Sequence, residues 1–461
     1  MTPQRMMMIF LATIFFLIAG WYLAGCPGTK VCPFFRKEKD PPKKVYLSFI
    51  GPWDSAADWG EVTEAFRQYK MQEANGYIDV NVIYEQIDDN INYEEIIKER
   101  QFDDEGPNIF MLFHTWMPRY EGKILPVPET MMTLDEFKNT YAYAAVQDLT
   151  AANGTIYALP FYVDTLALYY NTKMFLNESI LEYPRNWIEF ENYVEKLTYY
   201  KKDASGKNIF DGNGDLMIDF AGAAFGGGSN VNRSQDIVML LVMQNNYDEK
   251  NIVSFKTEGA ENAIKFYIDF TDPKSRFYTW SKDQMFSIDA FTQRKAAMMV
   301  NYSKEIPNIQ SKTGGTMDYK IAPLPQLDDR RKVNYASYWV PVVASKAPCA
   351  AAAGLRVDCY DLAWEFLNFA SQKTYANMYL DKTNRAAANL EIAREQSLAG
   401  DARSVFASQV FTARSWINPY DSISDEKLLE MINQLIANKE GRQDIDGAMT
   451  IPRRYISEIN R

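Results

Sequence analysis

The 461-residue chain contains one histidine, His114, and four cysteines. Zinc ribbons, cages of several imidazoles and catalysis by paired histidines therefore have too few residues to form. No CxxC occurs, which leaves thioredoxin-like redox chemistry without its motif, and neither HExxH nor GxSxG is present. Lys and Arg number 49 against 60 Asp and Glu, a formal charge of −11, and basic residues cluster only between Arg36 and Lys44. That is little cationic surface to set against a phosphate backbone, so no nucleic-acid partner is expected. Apolar and aromatic side chains are plentiful, at 47% and 14% of the chain, enough for the large core of two or three domains.

One apolar run stands apart. Residues Met6 to Ala24, MMMIFLATIFFLIAGWYLA, follow Arg5 and precede Gly25, Cys26 and Pro27. A basic start, a long apolar stretch and small residues before a cut make an export signal. Leu23-Ala24-Gly25-Cys26 resembles the bacterial lipobox, whose Cys thiol takes a diacylglycerol, so lipidation at Cys26 is expected. The alternative is an uncleaved helix, because ~20 apolar residues suffice to cross the hydrocarbon core. The basic residues from Lys30 to Lys44 lie on the wrong side for the positive-inside bias, which long translocated domains override. Residues 1–25 thus read as a signal peptide or anchor, residues 26–44 as a Pro-rich charged tether, and the remainder as extracytoplasmic, held at the outer face of the membrane. In that compartment Cys349 and Cys359 are candidates for a disulfide, Cys26 and Cys32 are candidates if Cys26 is not acylated, and free thiols are the other option.

After Lys44 the pattern is α/β. Val45, Leu47 and Phe49 alternate with polar neighbours up to Gly51-Pro52, which makes a strand. Trp59, Val62, Phe66 and Tyr69 recur at helical spacing, with Asp58 placed as their cap. Ile78 to Tyr84 alternates again, Tyr93, Ile96 and Ile97 mark a second helix, and Asn108 to Phe113 is a continuous apolar run suited to a buried strand. This βαβαβ order begins a doubly wound sheet, in which ligands collect beyond the carboxyl ends of the strands, here near Gly51 to Asp54 and His114 to Trp116. Farther on, 166–170 reads as a strand, and Trp187, Phe190, Val194 and Leu197 as a helix face.

The acidic tract Glu85 to Glu105 reads as a solvated helix face. Asp211, Asn213 and Asp215 match the first ligand positions of a calcium loop. Leu216 and Gly222 stand where that loop needs Gly and Glu, so the stretch reads as a hairpin turn. Gly226-Gly227-Gly228 lacks the Lys-Ser/Thr ending of a phosphate loop and reads as backbone freedom beside a ligand or a helix start. No enzymatic motif remains, and no cofactor or metal is expected. What recurs at strand ends is an aromatic ring beside small polar groups: Trp53-Asp54, His114-Thr115-Trp116, Tyr162-Val163-Asp164, Asn301-Tyr302-Ser303 and Tyr338-Trp339. Flat rings match the C–H faces of pyranoses while carboxylates, amides and guanidinium groups bond the hydroxyls, a combination that suits carbohydrate.

Several longer runs carry a resemblance: IYALPFYVDTLALYYNTKMF (156–175), PRNWIEFENYVEKLT (184–198), GAAFGGGSNVNRSQDIVMLLVMQNN (222–246), FYTWSKDQMFSIDAFTQRKAAMMVNYSKEIP (277–307), YKIAPLPQ (319–326), NYASYWVPVVASKAP (334–348) and AWEFLNFASQ (363–372). In order and spacing they are similar to family 1 extracellular solute-binding proteins of ATP-binding-cassette sugar importers, the maltose-binding type. The resemblance implies a type II periplasmic-binding-protein-like α/β fold, with a ligand cleft between two lobes and three hinge crossovers, at about 156–166, 270–282 and 323–337. Lobe 1 would combine 45–158 with 276–325, and lobe 2 would combine 159–275 with 336–461. The ligand-binding candidates it implies are Trp53, Asp54, His114, Thr115, Tyr162, Asp164, Ser229, Asn230, Trp280, Tyr302, Tyr338, Trp339 and Arg385. Asp164 as acceptor and Trp339 as aromatic platform lead that set.

The implied function is capture of a sugar or oligosaccharide, as a monomer, for membrane permease subunits driven by a separate ATPase. A ligand-presenting sensor on the same fold and a secreted carbohydrate-active enzyme are the alternatives. Asn384-Arg385-Ala386-Ala387-Ala388 departs from the Arg-Pro-Pro-Ala type of loop in relatives, and the tether and the Cys349/Cys359 segment lie outside the shared pattern.

Overall fold

The computed structural model describes residues 3–23, 41–87, 92–102, 106–245, 257–346, 349–352, 355, 357–416, 421–441 and 450. The apolar N-terminal run is a helix, α1 (Pro3–Leu23), with exposed side chains such as Phe15 and Phe16. Among the described residues no helix is long and apolar enough to cross a membrane. Cys26, Cys32 and the tether up to Asp40 lie outside the described residues.

The alternation at Val45 to Phe49 forms β1 (Lys43–Gly51), whose inward residues Val45, Leu47 and Phe49 are fully buried. The chain then enters α2 (Ala56–Glu73), capped one turn earlier than Asp58. Ser55 is the N-cap, and Asp58 Oδ2 accepts from its N–H at 2.7 Å and its hydroxyl at 2.8 Å, which closes a capping box. Trp59, Val62 and Phe66 pack under the sheet. β2 (Ile78–Gln86) runs parallel to β1 on one edge, α3 (Tyr93–Phe102) follows, and β3 (Ile109–Phe113) runs parallel to β1 on the other. The strand Trp339–Ala344 lies antiparallel beside β3, with Trp339 opposite Phe113, and pairs in turn with β4 (Ile124–Leu125). Helices Cys359–Ser371 and Lys373–Thr383 pack against α2 and complete the first lobe.

The second lobe is built on the strand Ala167–Asn171, which pairs antiparallel with Met298–Asn301 on one side and Tyr319–Ala322 on the other. This pairing exchanges the two segments that the sequence had divided otherwise. Residues 276–325 belong with the second lobe, and residues 339–383 belong with the first. The physical reason is that strand pairing is non-local, so an apolar run carries no label for the sheet it will join. The stretch 270–282, expected as a crossover, lies inside the second lobe, where Phe270 and Trp280 are fully buried. Between the lobes runs a three-stranded ribbon in which Asn334–Ser337 pairs antiparallel with Asp164–Thr165 and parallel with Ala413–Arg414.

The three glycines 226–228 serve packing. A Cβ on Gly227 would lie 2.7 Å from Trp280 Cδ1, and one on Gly228 would lie 2.0 Å from Asn433 Oδ1. The 211–215 stretch is a turn in which Asp211 Oδ1 accepts from the N–H groups of Asn213 and Asp215 at 2.8 and 2.9 Å. A disulfide joins Cys349 to Cys359, with their Cα atoms 5.5 Å apart. It ties the start of helix Cys359–Ser371 to the Ala350–Ala351 strand, which pairs with Val45 and Tyr46 where the tether enters β1.

Candidate ligand-binding cleft

β1 and β3 are parallel and end on the same edge of the first sheet, and the antiparallel strand Trp339–Ala344 begins at that edge. Trp53 and Asp54, Thr115 and Trp116, and Trp339 are thereby delivered to one place, as expected for the carboxyl edge of such a sheet. The second lobe contributes the turn Tyr302 to Glu305, which follows strand Met298–Asn301, and Arg233 with Asp236 at the start of helix Ser234–Asn245. Asp164 and Ser337 enter from the ribbon and Arg385 from the end of helix Lys373–Thr383. Together they line a cleft of about 660 Å³.

Its apolar wall is built around Trp339. Tyr93 and Trp116 meet its ring edge-on at 5.4 and 5.3 Å, and Phe113 lies tilted at 5.3 Å. Three aromatic neighbours hold the half-buried indole in one orientation with its remaining surface on the cleft. Trp53 is 42% exposed at the mouth, with the Lys304 ammonium 4.3 Å from its ring centre.

A buried ion pair forms the floor. Arg385 Nη1 lies 2.8 Å from Asp54 Oδ1, and Asp54 Oδ2 accepts from Tyr379 OH at 2.8 Å and Trp59 Nε1 at 3.2 Å. The guanidinium also lies 4.3 Å from the ring centre of Tyr162. Helix Lys373–Thr383 ends on Asn384 at φ 53°, a left-handed conformation that Asn tolerates. That turn sends the chain back along residues 161–163, bonding through Val163 N to Ala386 O and Ala388 N to Phe161 O. The alanines at 386–388 are small enough to be buried there.

Asp164 is 6% exposed and already engaged. It accepts from Ser303 Oγ at 2.8 Å, Ser303 N at 3.1 Å and Thr165 N at 2.9 Å, which fastens the ribbon to the second lobe. Burial pushes its carboxyl above the usual range, against the opposing effect of these hydrogen bonds. Asp236 is likewise pushed up by burial and accepts from Tyr302 OH at 2.9 Å. The Arg233 guanidinium lies 5.4 Å from the Tyr302 ring centre, on a backbone at φ 64°.

Of the residues expected at the site, Trp53, Asp54, Thr115, Tyr162, Asp164, Tyr302, Trp339 and Arg385 line this cleft, and five others do not. His114 is 1% exposed, with Nδ1 2.8 Å from Asp148 Oδ2 and its ring stacked on Tyr338 at 4.3 Å. Tyr338 donates its hydroxyl to the same Asp148 oxygen at 2.8 Å. It points away from the cleft because successive side chains of an extended chain alternate, and Trp339 takes the cleft side. Trp280 is fully buried and donates Nε1 to Asn230 Oδ1 at 3.1 Å, while Asn230 Nδ2 bonds the carbonyls of Ser281 and Gln284. Ser229 sits on the surface bonded to Asn433. Residues not anticipated include Arg233, Asp236, Lys304 and Trp416. Arg233 and Asp236 fall within the run 222–246, from which the resemblance implied Ser229 and Asn230 instead. The deciding feature is where helix Ser234–Asn245 starts.

Residues 56–377 match the family model described as bacterial extracellular solute-binding protein. The maltotriose-binding protein of Pyrococcus abyssi (strain GE5 / Orsay) is 25% identical over 291 residues, which cover 63% of this chain and 56% of that protein. The chain therefore matches little more than half the length of this relative. The sugar-binding protein MalE of Xanthomonas citri superposes with a TM-score of 0.65 at 16% identity, covering 90% of this chain and 97% of that one. A solute-binding protein of Thermotoga lettingae TMO, solved with alpha-D-tagatose, gives 0.63 at 16% identity and covers 90% and 99%. The architecture is that of type II periplasmic sugar-binding proteins, two lobes around a cleft. With well over half its length in the family match, the chain belongs to the bacterial extracellular solute-binding proteins.

Proposed function

We propose that the protein captures a carbohydrate between its lobes and presents it to an ATP-binding-cassette importer, whose permease and ATPase subunits are separate chains. The observation that carries this reading is the Trp339 platform: an indole held on three sides by aromatic rings, facing a cleft lined by hydrogen-bonding groups from both lobes. A pyranose presents the complementary surface, apolar on its faces and polar at its rim. The maltotriose-binding relative and the tagatose-bound structure support the same class. Contacts that exist only when both lobes touch the ligand would shift the population toward the closed form. The family is extracytoplasmic, and the leader would hold the protein at the outer face of the membrane through a diacylglycerol on Cys26. The protein would act as a monomer that binds without turnover.

The test is a thermal-shift screen against mono- and oligosaccharides, with amino acids, short peptides and glycerol phosphates alongside. A ligand at 100 times its Kd adds ~2.7 kcal/mol, readily seen as a higher Tm. A saccharide shift that vanishes in Trp339→Ala supports the reading; a shift with non-sugars alone overturns it. Product formed from glycans and lost in Asp164→Ala would make the protein an enzyme instead. For the anchor, mass spectrometry of membrane-extracted protein should find diacylated Cys26 as the first residue, and Met1 still attached excludes the lipoprotein form.

A further inference from the structure

Asp148 is buried behind the cleft, on helix Tyr143–Leu149 of the first lobe, and its two carboxylate oxygens gather three distant stretches of chain. Oδ2 accepts from the Tyr338 hydroxyl at 2.8 Å and faces His114 Nδ1 at 2.8 Å, while Oδ1 accepts from the Ser415 hydroxyl. These partners lie 190, 34 and 267 positions away. Each adjoins the cleft. Thr115 follows His114, Ser337 and Trp339 flank Tyr338, and Trp416 follows Ser415; all four line the cavity, as does Trp116.

A buried carboxylate is costly unless its oxygens are bonded, so the three stretches are held to the arrangement that satisfies it. His114 and Tyr338 are joined further: His114 N donates to the Tyr338 carbonyl at 3.2 Å, and their rings stack at 4.3 Å with planes 16° apart. Tyr338→Phe therefore keeps the stacked ring and the backbone bond, and Trp339 with them, whereas Ser415 is tied here through its hydroxyl. The residues delivered to the cleft include the indoles of Trp116 and Trp339, which meet edge-on at 5.3 Å, and that of Trp416. Rings already in place spare a ligand the cost of ordering them.

We propose that Asp148 is a positioning residue for ligand binding: without touching the ligand, it sets Trp116, Trp339 and Trp416 in the places where a sugar meets them. The inference rests on the carbohydrate reading above for what the three indoles do, and on the hydrogen bonds of Asp148 for what holds them. Loss of the carboxylate releases three segments at once, and the walls of the cleft lose their register while the sheets beneath keep theirs.

Asp148→Asn keeps the shape of the side chain but turns an amide N–H2 toward one or more of the donors. In the full chain labelled with 5-fluorotryptophan, fluorine NMR reports all nine indoles, assigned through single Trp→Phe variants. The resonances of Trp116, Trp339 and Trp416 should shift or broaden in Asp148→Asn, while those of Trp187, Trp280 and Trp364, packed elsewhere, stay in place. Calorimetry with maltotriose should show binding weakened by at least ~10-fold. Introduced into Trp339→Ala, the same substitution should cost less affinity, because residues that act through one another are not additive. If Asp148→Asn folds poorly, Ser415→Ala decides instead, and should move the Trp416 resonance while leaving Trp187, Trp280 and Trp364 unmoved. Three unmoved cleft resonances, equal movement of the remote ones, or an unchanged maltotriose affinity overturns the proposal. If the wild-type chain binds no saccharide, the carbohydrate reading falls, and the fluorine spectra still decide whether Asp148 sets the three indoles.

Discussion

The Lys304 ammonium sits 4.3 Å from the centre of the Trp53 ring, and the two residues belong to opposite lobes. Trp53 follows β1 of the first lobe, and Lys304 follows strand Met298–Asn301 of the second. Their contact therefore spans the mouth of the cleft and bears on how far the lobes close without ligand. Cation–π pairs at exposed sites contribute ~0.5–1 kcal/mol, enough to shift a two-state equilibrium by ~2- to 5-fold. Trp53→Ala should lower the closed fraction of the free protein by that factor, read as a larger radius of gyration in solution scattering.

The same contact should respond to pH. Lys304 is pushed down to about 8, first by burial of its ammonium end and then by Arg233. Only the charged form is drawn to the ring face, so the latch is present below about pH 8 and fades as pH rises through that value. The radius of gyration of the free protein should rise across this range, and Lys304→Arg, charged throughout, should remove the transition.

Arg385→Ala leaves the Asp54 carboxylate, 3% exposed, without its counter-ion. Breaking one side of a buried pair costs ~3–5 kcal/mol, so denaturant unfolding should show a loss of that order. Tyr379 and Trp59 still donate to Asp54, which places the expected value toward the lower end.

Tyr338 and Trp339 are neighbours whose substitution should do different things. Tyr338→Phe removes one donor from buried Asp148, which keeps His114 and Ser415, and should cost ~1–3 kcal/mol of stability with ligand affinity unchanged. Trp339→Ala should lower Tm through the packing lost on Tyr93, Phe113 and Trp116 and, unlike Tyr338→Phe, should also weaken ligand by at least ~10-fold, about 1.4 kcal/mol. Calorimetry and thermal melts on both variants would separate the two roles.

Gly226 holds φ at +91°, and a Cβ there would lie 2.8 Å from the Tyr267 carbonyl oxygen. Gly226→Ala should therefore destabilise by ~1–2 kcal/mol for the left-handed backbone alone, and further for the clash. A loss of ligand binding with no loss of stability would instead restore the glycines to the site.

The strands and helices around the cleft are legible in the sequence because their signals are local. Alternation at Val45 to Phe49 and helical spacing at Trp59 to Phe66 follow from the geometry of the backbone itself. Aromatic residues beside polar ones at strand ends likewise mark Trp53, Tyr162 and Trp339, all of which the fold brings to one cleft. The tertiary structure alone decides which lobe owns the segment around Met298–Asn301, since any apolar strand can join either sheet until its partner is fixed. It alone turns Trp339 to the cleft and Tyr338 to the core, because alternation dictates opposite sides without saying which side is inside. And it alone sets Arg233 and Lys304, 71 positions apart, in one cleft within reach of the Asp236 charge, a juxtaposition with no local signature for a sequence to carry.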